Sequence, residues 1–271
     1  MKKVSKILAI NPGSTSTKIA LFEDETPIYA KNLKHSAEEI KKYHKISDQY
    51  DFQKKVILDA VKESGTDLSE IDVIVGRGGN MKPVQGGVYE INEAMVEDLR
   101  LGVMGQHASN LGGIIAYFIA AELGIHSYVV DPVVVDELEE YARISGIPDI
   151  ERKSKDHPLN QKAAARMAAK ELGGNYTDYN FVVAHLGGGI SVGAHKKGRM
   201  VDVNNTLDGD GPFSPERSGG IAHDTEFVSW IKERMAFIAP VKVYPGENEM
   251  KALVQGVSRV LKGEEQLKSY N

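Results

Sequence analysis

Short apolar runs alternate with polar turns over the first thirty residues of the sequence. The runs Ile7–Ile10, Lys18–Phe22 and Pro27–Ala30 are four or five residues long and contain mainly side chains that suit strands. The first turn, Asn11–Thr17, carries one glycine and four hydroxyl side chains, and the second is the acidic run Glu23–Glu25. This pattern predicts three strands joined as a β-meander.

The same pattern recurs in the second half of the chain. The runs Phe181–His185, Ile190–His195 and Met200–Val203 are separated by the glycines at 187–189 and by the turn Lys196–Arg199. A duplicated meander favours two related lobes that face each other across a cleft. Chance recurrence is the alternative, because hairpins with glycine turns are common.

The remaining periodicity is mainly helical, with three further strands. Apolar positions near a period of 3.6 residues predict helices over Lys54–Glu63, Ile91–Leu101, Ser109–Leu123, Leu159–Leu172, Glu226–Phe237 and Glu249–Lys262. The additional strands are predicted over Ile71–Val75, Tyr128–Asp131 and Val241–Tyr244. Strands that alternate with helices predict the α/β class.

Composition narrows the function classes. The chain has 271 residues, 41% hydrophobic and 26% charged, which suits a globular protein of one large or two ordinary domains. It has no cysteine, so disulfides, thiolate zinc sites, iron–sulfur clusters and a cysteine nucleophile are excluded. A net charge of -5 gives no electrostatic footprint for nucleic acid.

No segment predicts membrane insertion or export. No apolar run approaches the roughly 20 residues of a spanning helix, and the first apolar run meets Asn11 too early for a signal peptide. We therefore expect a cytoplasmic protein that acts on small molecules or proteins.

The sequence does not match either of two common phosphate-binding motifs. Gly193 and Gly198 have the spacing of a P-loop, but Arg199 and Met200 stand where Lys and Ser or Thr are required. Gly187, Gly189 and Gly193 miss the dinucleotide-binding spacing by one residue and lie between predicted strands.

Polar residues at predicted strand ends are better candidates. The hydroxyls of Ser14 and Ser16, the amides near Gly13 and the ammonium of Lys18 could bind a phosphate, although a solvated polar turn is the alternative. Further polar side chains stand at strand ends, at a helix start and in the loop Asp208–Gly219; they are Arg77, His107, Asn110, Asp131, His185, Asp210 and Arg217. Arginines, histidines and carboxylates without cysteine fit an anion and a divalent cation, the groups that phosphoryl transfer requires.

Five segments together resemble one family. They are Ile10–Lys18 (INPGSTSTK), Gly76–Gly79 (GRGG), Gln106–Asn110 (QHASN), Ala184–Gly189 (AHLGGG) and Pro215–Gly219 (PERSG). This set resembles the butyrate kinases, in the acetate kinase branch of the sugar kinase, Hsp70 and actin superfamily, and the resemblance runs through essentially the whole chain. GRGG, HLGGGIS and DGDGPFSPERSG favour the butyrate or branched-chain fatty acid type over acetate, propionate or sugar kinases.

The resemblance implies a two-lobed actin-like ATPase fold, related to ribonuclease H, with ATP or ADP and Mg²⁺ as cofactors. We expect an N-terminal lobe over residues 1–160 on the acyl side, a nucleotide lobe over 161–246, and a C-terminal helix within 247–271 that docks on the first lobe. The expected partner is a small carboxylate or acyl phosphate, with no nucleic acid or membrane, and the chain is expected to form a homo-oligomer.

The resemblance also implies roles for individual residues. Arg77 and Arg217 would grip the carboxylate and stabilise the transferred phosphoryl group, and His157 would be the active-site histidine. Asp131 would bind magnesium or orient the acyl substrate. The metal–phosphate assembly would be held by Asn11 and Glu249, with Glu247 as the competing choice for the latter. The nucleotide would be bound by Ser14, Ser16, Lys18, His185, Gly187, Gly188, Gly189 and Asp210. Other histidines, His35, His44, His126 and His195, are expected at the surface.

One departure from the family is large. Between the Arg-Ser-Gly loop and the tail, the family has a helical subdomain and a strand ending in a Thr-Gly-Gly motif that cups adenosine. Here Gly219 and Gly220 run directly into Ile221. The second lobe would therefore be incomplete, with apolar faces uncovered. Either the protein is a shortened relative or residues of a longer chain are missing, and a non-catalytic binding protein is the alternative to a kinase.

Overall fold

The computed structural model describes residues 4–43, 45–187, 189–209, 225–246 and 248–271. The chain divides into two compact units, one formed by Met1–Val134 with Glu249–Asn271 and the other by Val135–Asn248. The first boundary therefore lies at residue 134 and not at the expected 160. The reason is that residues after Val134 pack on the second unit's hairpins: the Glu139 N–H donates to the Val201 carbonyl over 2.9 Å.

A six-stranded sheet forms the centre of the first unit, in the order β3-β2-β1-β4-β6-β5. The strands are β1 (Lys6–Pro12), β2 (Ser16–Glu23), β3 (Thr26–Lys34), β4 (Val73–Gly76), β5 (Val88–Glu90) and β6 (His126–Val130). Strands β1, β4 and β6 run parallel, while β2, β3 and β5 pair antiparallel with their neighbours. The carboxyl ends of the three parallel strands therefore meet at one edge of the sheet.

Five α-helices accompany this sheet among the residues described. They are α1 (Ala37–Ile40), α2 (Tyr50–Glu63), α3 (Glu93–Leu101), α4 (Asn110–Leu123) and, from the end of the chain, α7 (Glu249–Leu261). Helices α4 and α7 both contact β1, and Ile7–Ile10 of that strand are fully buried. Because both faces of β1 are buried, its sequence is a continuous apolar run and does not alternate between apolar and polar residues.

The second unit is built on a three-stranded antiparallel sheet, β7-β8-β9. Its elements are β7 (Asn180–Leu186), β8 (Ile190–Lys196), β9 (Arg199–Val203), α5 (Pro158–Glu171) and α6 (Thr225–Met235). Helix α5 contacts β7, and Ala165, Ala169 and Tyr176 form a small buried cluster there. The two meanders, β1–β3 and β7–β9, are the duplicated pattern seen in the sequence.

The other face of the second sheet is apolar and open. Val182 of β7 is 74% exposed and Val192 of β8 is 45% exposed. Both line a shallow hollow of about 460 Å³, together with Ile190 and Ala194. Exposed valines at neighbouring positions on one sheet face are unusual for a monomer's surface.

The mixed α/β prediction is confirmed, and three elements differ from expectation. The short helix α1 was not predicted. Val241–Tyr244 is not a strand: its side chains instead reach α5, where Lys242 and Tyr244 both contact the Glu171 carboxylate. Strand β5 is not predicted, because three residues are too few to show a period. Within the described parts of the chain, no helix combines the length and apolar character needed to cross a bilayer.

Candidate functional site

Three polar residues stand where the three parallel strands of the first unit end. Asn11 lies near the end of β1, Arg77 follows β4 and Asp131 follows β6. The Arg77 N–H donates to the Ile10 carbonyl over 2.8 Å, which fixes the backbone beside Asn11. These are three of the residues that the resemblance singles out, and the sheet places them along one edge.

Glu249 joins two of them from the first residue of α7. The Arg77 Nη1 lies 2.8 Å from Glu249 Oε1, and Asn11 Nδ2 donates to Glu249 Oε2 over 2.7 Å. The Arg77 and Glu249 side chains are only 15% and 20% exposed. One carboxylate oxygen thus pairs with the guanidinium and the other with the Asn11 amide, and these charge-assisted contacts hold the partly buried groups in fixed positions. The predicted Asn11, Arg77 and Glu249 are therefore in direct contact.

Close backbone packing accounts for the glycines around Arg77. A Cβ at Gly76 would lie 2.3 Å from the Gly112 carbonyl oxygen of α4, and one at Gly79 would lie 2.3 Å from Asn110 Oδ1. The Asn110 amide itself accepts from the Asn80 N–H over 2.9 Å. The GRGG motif and Asn110 thus hold the start of α4 against the end of β4, and this positions Arg77.

Asp131 is buried and conformationally unusual. It is 1% exposed and has a φ of 38°, rare for a non-glycine residue. Its Oδ1 accepts from the Gly87 N–H over 2.8 Å, and its own N–H donates to the Gly87 carbonyl. The surroundings of Asp131 therefore determine its orientation at the sheet edge, a pattern common at functional sites.

The turn between β1 and β2 presents only some of its hydroxyls to solvent. Ser14 is exposed, Ser16 and Lys18 are half-buried, and Lys18 pairs with Asn11 across the hairpin. Thr17 points into the core, where its hydroxyl contacts His35 and Gln53. His35 is 8% exposed, so the expectation of a surface histidine there is wrong.

The second unit brings two predicted histidines together. The rings of His157, which precedes α5, and His185 of β7 stack with centroids 4.0 Å apart and an interplanar angle of 25°. Asn160 Nδ2 lies 3.4 Å from His185 Nδ1. The other predicted residues Gly188, Asp210 and Arg217, and the competing Glu247, lie outside the described residues, as does His44.

Glycines make room for this histidine pair. A Cβ at Gly187 would lie 2.6 Å from His185 Nε2, and one at Gly189 would lie 2.9 Å from His157 Cε1. These distances are below any ordinary contact, so larger residues would displace the rings. Gly187 and Gly189 therefore position the two imidazole rings, in addition to any contact that they make with a ligand.

A buried polar cluster behind His157 was not anticipated. It contains Asp156, Gln161, Ser191 and His195, each 2% exposed or less. His195 was expected at the surface, and that expectation is wrong. Burial raises the pKa of Asp156 to about 7, although the His157 backbone N–H and the Lys162 ammonium act in the opposite direction.

The oxygen donors at the first unit's sheet edge suit Mg²⁺ in their chemistry. Carboxylates of Asp131 and Glu249 and the amide oxygen of Asn11 are hard ligands of the kind that this ion prefers. In the ranges that the structure describes, no cluster of three or more His, Asp or Glu side chains has the spacing of a metal site. A magnesium ion would accordingly be held by few protein groups, as is usual when substrate phosphates supply the remaining ligands.

Solved structures identify the class of fold. Acetate kinase from Porphyromonas gingivalis matches with a TM-score of 0.55 at 17% identity, covering 96% of this chain and 74% of that one. A propionate kinase from Francisella tularensis matches with a TM-score of 0.54 at 22% identity, covering 86% and 65%. The chain has the actin-like ATPase fold of these carboxylate kinases.

Sequence relatives give the family. Butyrate kinase 1 of Clostridium acetobutylicum is 44% identical over 352 aligned residues, covering 98% of this chain and 99% of the relative. A probable butyrate kinase from Clostridium botulinum is 43% identical with the same coverage. No protein-family model matches. The chain belongs to the butyrate kinase family, whose members are phosphotransferases.

The same alignment confirms an internal gap. It runs over 352 positions, whereas this chain has 271 residues, so at least 81 positions have no counterpart here. Because both chains are covered almost end to end, the unmatched positions are internal. That they fall after Gly220 stays a prediction.

Proposed function

We propose that this protein transfers a phosphoryl group between ATP and a short-chain carboxylate, with butyrate as the representative substrate. The observation that carries the proposal is the contact of Glu249 with both Arg77 and Asn11 at the carboxyl edge of the parallel strands. Membership of the butyrate kinase family supports the same reaction. The alternative, a non-catalytic binding protein, has no observation in its favour beyond the internal gap.

The reaction requires positioning and charge stabilisation more than proton transfer. A carboxylate oxygen attacks the γ-phosphorus, the bond to the β–γ bridging oxygen breaks, and its electron pair stays on ADP. No proton is gained or lost in this step, and the reverse reaction follows the same path. Cations aimed at the transferred group therefore contribute most to the rate.

We assign the cationic roles to two arginines. Arg77 binds the substrate carboxylate, because a guanidinium recognises carboxylates through paired hydrogen bonds. The substrate carboxylate then replaces Glu249 as the partner of Arg77. Arg217 stabilises the charge on the moving phosphoryl group. His157 and His185 face the nucleotide phosphates in this proposal.

The other candidates bind the nucleotide and its metal. In the first unit, the hydroxyls of Ser14 and Ser16 and the ammonium of Lys18 would bind phosphate oxygens. In the second unit, the candidates for the same role are the backbone amides of Gly187, Gly188 and Gly189, and Asp210 is a further candidate for binding the nucleotide. Asn11, Asp131 and Glu249 would hold Mg²⁺, which when bound neutralises phosphate charge. We further propose that the protein acts in the cytoplasm and as a homo-oligomer.

Trapping the product with hydroxylamine tests the reaction. Butyrate, Mg²⁺ and ATP should yield butyryl hydroxamate, and Arg77→Ala should raise the KM for butyrate roughly tenfold or more while kcat falls less. Arg100→Ala, at an exposed arginine of α3, is the matched control and should change neither constant.

Two results would contradict the proposal. An unchanged butyrate KM in Arg77→Ala would remove Arg77 as the carboxylate-binding group. No hydroxamate from any C2–C6 acid, together with intact binding of Mg–ATP, would favour the non-catalytic alternative.

A further inference from the structure

A continuous chain of buried hydrogen bonds leads from Tyr176 to His157 in the second unit. The Tyr176 hydroxyl lies 2.5 Å from His195 Nδ1, and His195 Nε2 lies 2.9 Å from Gln161 Oε1. Gln161 Nε2 donates to Asp156 Oδ2 over 3.1 Å and to Ser191 Oγ over 2.8 Å. Ser191 Oγ in turn lies 3.0 Å from His157 Nδ1.

The direction of each bond follows from the charge at Asp156, which is ionised above its pKa of about 7. An ionised carboxylate only accepts, so the Gln161 amide must turn its Nε2 towards Asp156, and the same NH₂ group reaches Ser191. Ser191 Oγ then accepts from Gln161. Its single proton is donated to His157, because no other acceptor among the described residues lies within hydrogen-bond distance of this hydroxyl. The His157 Nδ1 is therefore the acceptor of that bond.

An imidazole that accepts at Nδ1 carries its proton at Nε2 when neutral. We propose that Asp156, acting through Gln161 and Ser191, sets His157 in the Nε2-protonated tautomer and is thus a positioning residue for that histidine. The importance of this tautomer for catalysis rests on the proposed function.

The protonated edge faces the glycine turn. A Cβ at Gly189 would lie 3.3 Å from His157 Nε2, so this edge of the ring is directed at Gly189. An N–H there donates to an anionic oxygen, whereas an unprotonated nitrogen would repel it. The network therefore decides whether His157 attracts or repels a phosphate.

Close packing against Gly193 fixes the position of the Gln161 side-chain amide. A Cβ at Gly193 would lie 2.3 Å from Gln161 Oε1, so glycine at 193 is required for the amide to lie where it does. All four groups between Tyr176 and His157 are shielded from water. Water therefore does not compete for these bonds or randomise their direction.

Neutralising Asp156 would remove the preference of His157 for the Nε2-protonated tautomer. Among the residues that the structure describes, Asp156 Oδ1 has no hydrogen-bond partner, and the charged group that acts on Asp156 is Lys162, which is paired with Glu137. A protonated or amide side chain at 156 can donate as well as accept. Gln161 could then reverse, Ser191 would donate to it, and His157 Nδ1 would become the donor.

Nitrogen NMR of the histidine rings tests the proposal in the full chain. With ¹⁵N-histidine at pH 8, His157 should show an unprotonated Nδ1 and a protonated Nε2, with its signals assigned by their loss in His157→Gln. Both Ser191→Ala and Asp156→Asn should shift His157 towards a mixture of tautomers. Tyr176→Phe, at the other end of the chain, is the control and should change the His195 signals only.

Activity provides a separate readout. In Asp156→Asn and Ser191→Ala, kcat should fall roughly 10–100-fold with little change in the KM for butyrate, by analogy with hydrogen-bond partners of metal-binding histidines. A wild-type His157 protonated at Nδ1, or a tautomer unchanged in both variants, would overturn the proposal. Normal NMR results in a protein without kinase activity would instead count against the proposed function.

Discussion

Gly187, Gly189 and Gly193 each leave room for a polar side chain of the second unit. The missing Cβ atoms would collide with His185, His157 and Gln161 respectively. A glycine-rich segment between strands is usually read as a place where a ligand meets the backbone. Here the same glycines have a second role that is fully internal to the protein, because they set the positions of two imidazoles and one amide.

At the residue scale, Asp156 should make stability depend on pH. The folded state keeps the Asp156 proton up to a pKa of about 7, whereas the unfolded chain releases it near the ordinary aspartate pKa of 3.8. The stabilisation that the protonated Asp156 carboxyl gives the folded state is therefore fully present below pH 3.8. As the pH rises towards 7, the free energy of unfolding falls by about 1.4 kcal/mol per pH unit. Denaturation by urea should show Asp156→Asn gaining stability over wild type between pH 5 and pH 8.

An exposed aspartate is the control for this measurement. The backbone N–H of Ser69 lowers the pKa of Asp67, so Asp67→Asn should show no gain in this pH range. A stability difference between Asp156→Asn and wild type that stays constant from pH 5 to pH 8 would mean that Asp156 is ionised throughout.

Motifs in the sequence singled out residues that the structure brings together, although their roles stay predictions. Asn11 and Arg77 both contact Glu249, and His157 lies beside His185. His195 was misjudged because β8 carries Val192 and Ala194 on the open face of its sheet, and polar or small residues on the covered face. Apolar residues normally lie on the covered face of a strand, whereas in β8 Val192 and Ala194 lie on the open face.

At the element scale, a buried ion pair fastens α5 to the β8–β9 hairpin. Lys162 Nζ lies 2.7 Å from Glu137 Oε2, with side-chain exposures of 2% and 7%. The same carboxylate oxygen accepts from the Met200 N–H over 2.8 Å. Breaking such a pair leaves a charge buried without compensation, which costs more than the pair itself contributes.

We therefore expect Lys162→Met to lower the free energy of unfolding by about 3–5 kcal/mol. The double variant Lys162→Met/Glu137→Gln should recover most of that loss, since glutamine can still accept from Met200 and no charge remains. Chemical denaturation of the three proteins gives the comparison. A double variant as unstable as the single one would mean that lost packing, and not the stranded carboxylate, is responsible.

The predicted elements agree with the structure where a local pattern is long and regular. The six strands of the two meanders were predicted because polar turns separate their apolar runs. Val241–Tyr244 has the alternation of a strand, but its side chains pack on α5 through Glu171. Pairing between distant segments is decided by tertiary contacts, which a single stretch of sequence does not contain.

At the scale of the whole molecule, we expect the internal gap to be the reason for the open sheet face. The family alignment has at least 81 positions that this chain lacks, and the second unit has exposed valines on β7 and β8. Additional elements packed on this face would bury those side chains. In the resemblance, the segment absent after Gly220 includes the strand that cups adenosine.

Nucleotide affinity should accordingly be low in a polypeptide of this length. We expect calorimetric titration with Mg–ATP to give a Kd nearer millimolar than micromolar, because phosphate contacts persist while the walls around base and ribose are lost. The titration should use protein whose intact mass agrees with 29.6 kDa. Micromolar binding with normal turnover would show that the gap does not affect the nucleotide site.

Helix α7 has a consequence for the order in which the protein can be assembled during translation. Gly256 of α7 packs so tightly on β6 that a Cβ would lie 2.4 Å from Val130 Cγ1, and Glu249 completes the contacts of Asn11 and Arg77. Yet residues 135–248 leave the ribosome before α7 does, a delay of about ten seconds at ~5–20 residues per second. Until then β1, β4 and β6 lack one of their covering helices. Arg77 therefore meets its carboxylate partner Glu249 only after residues 135–248 have been synthesised.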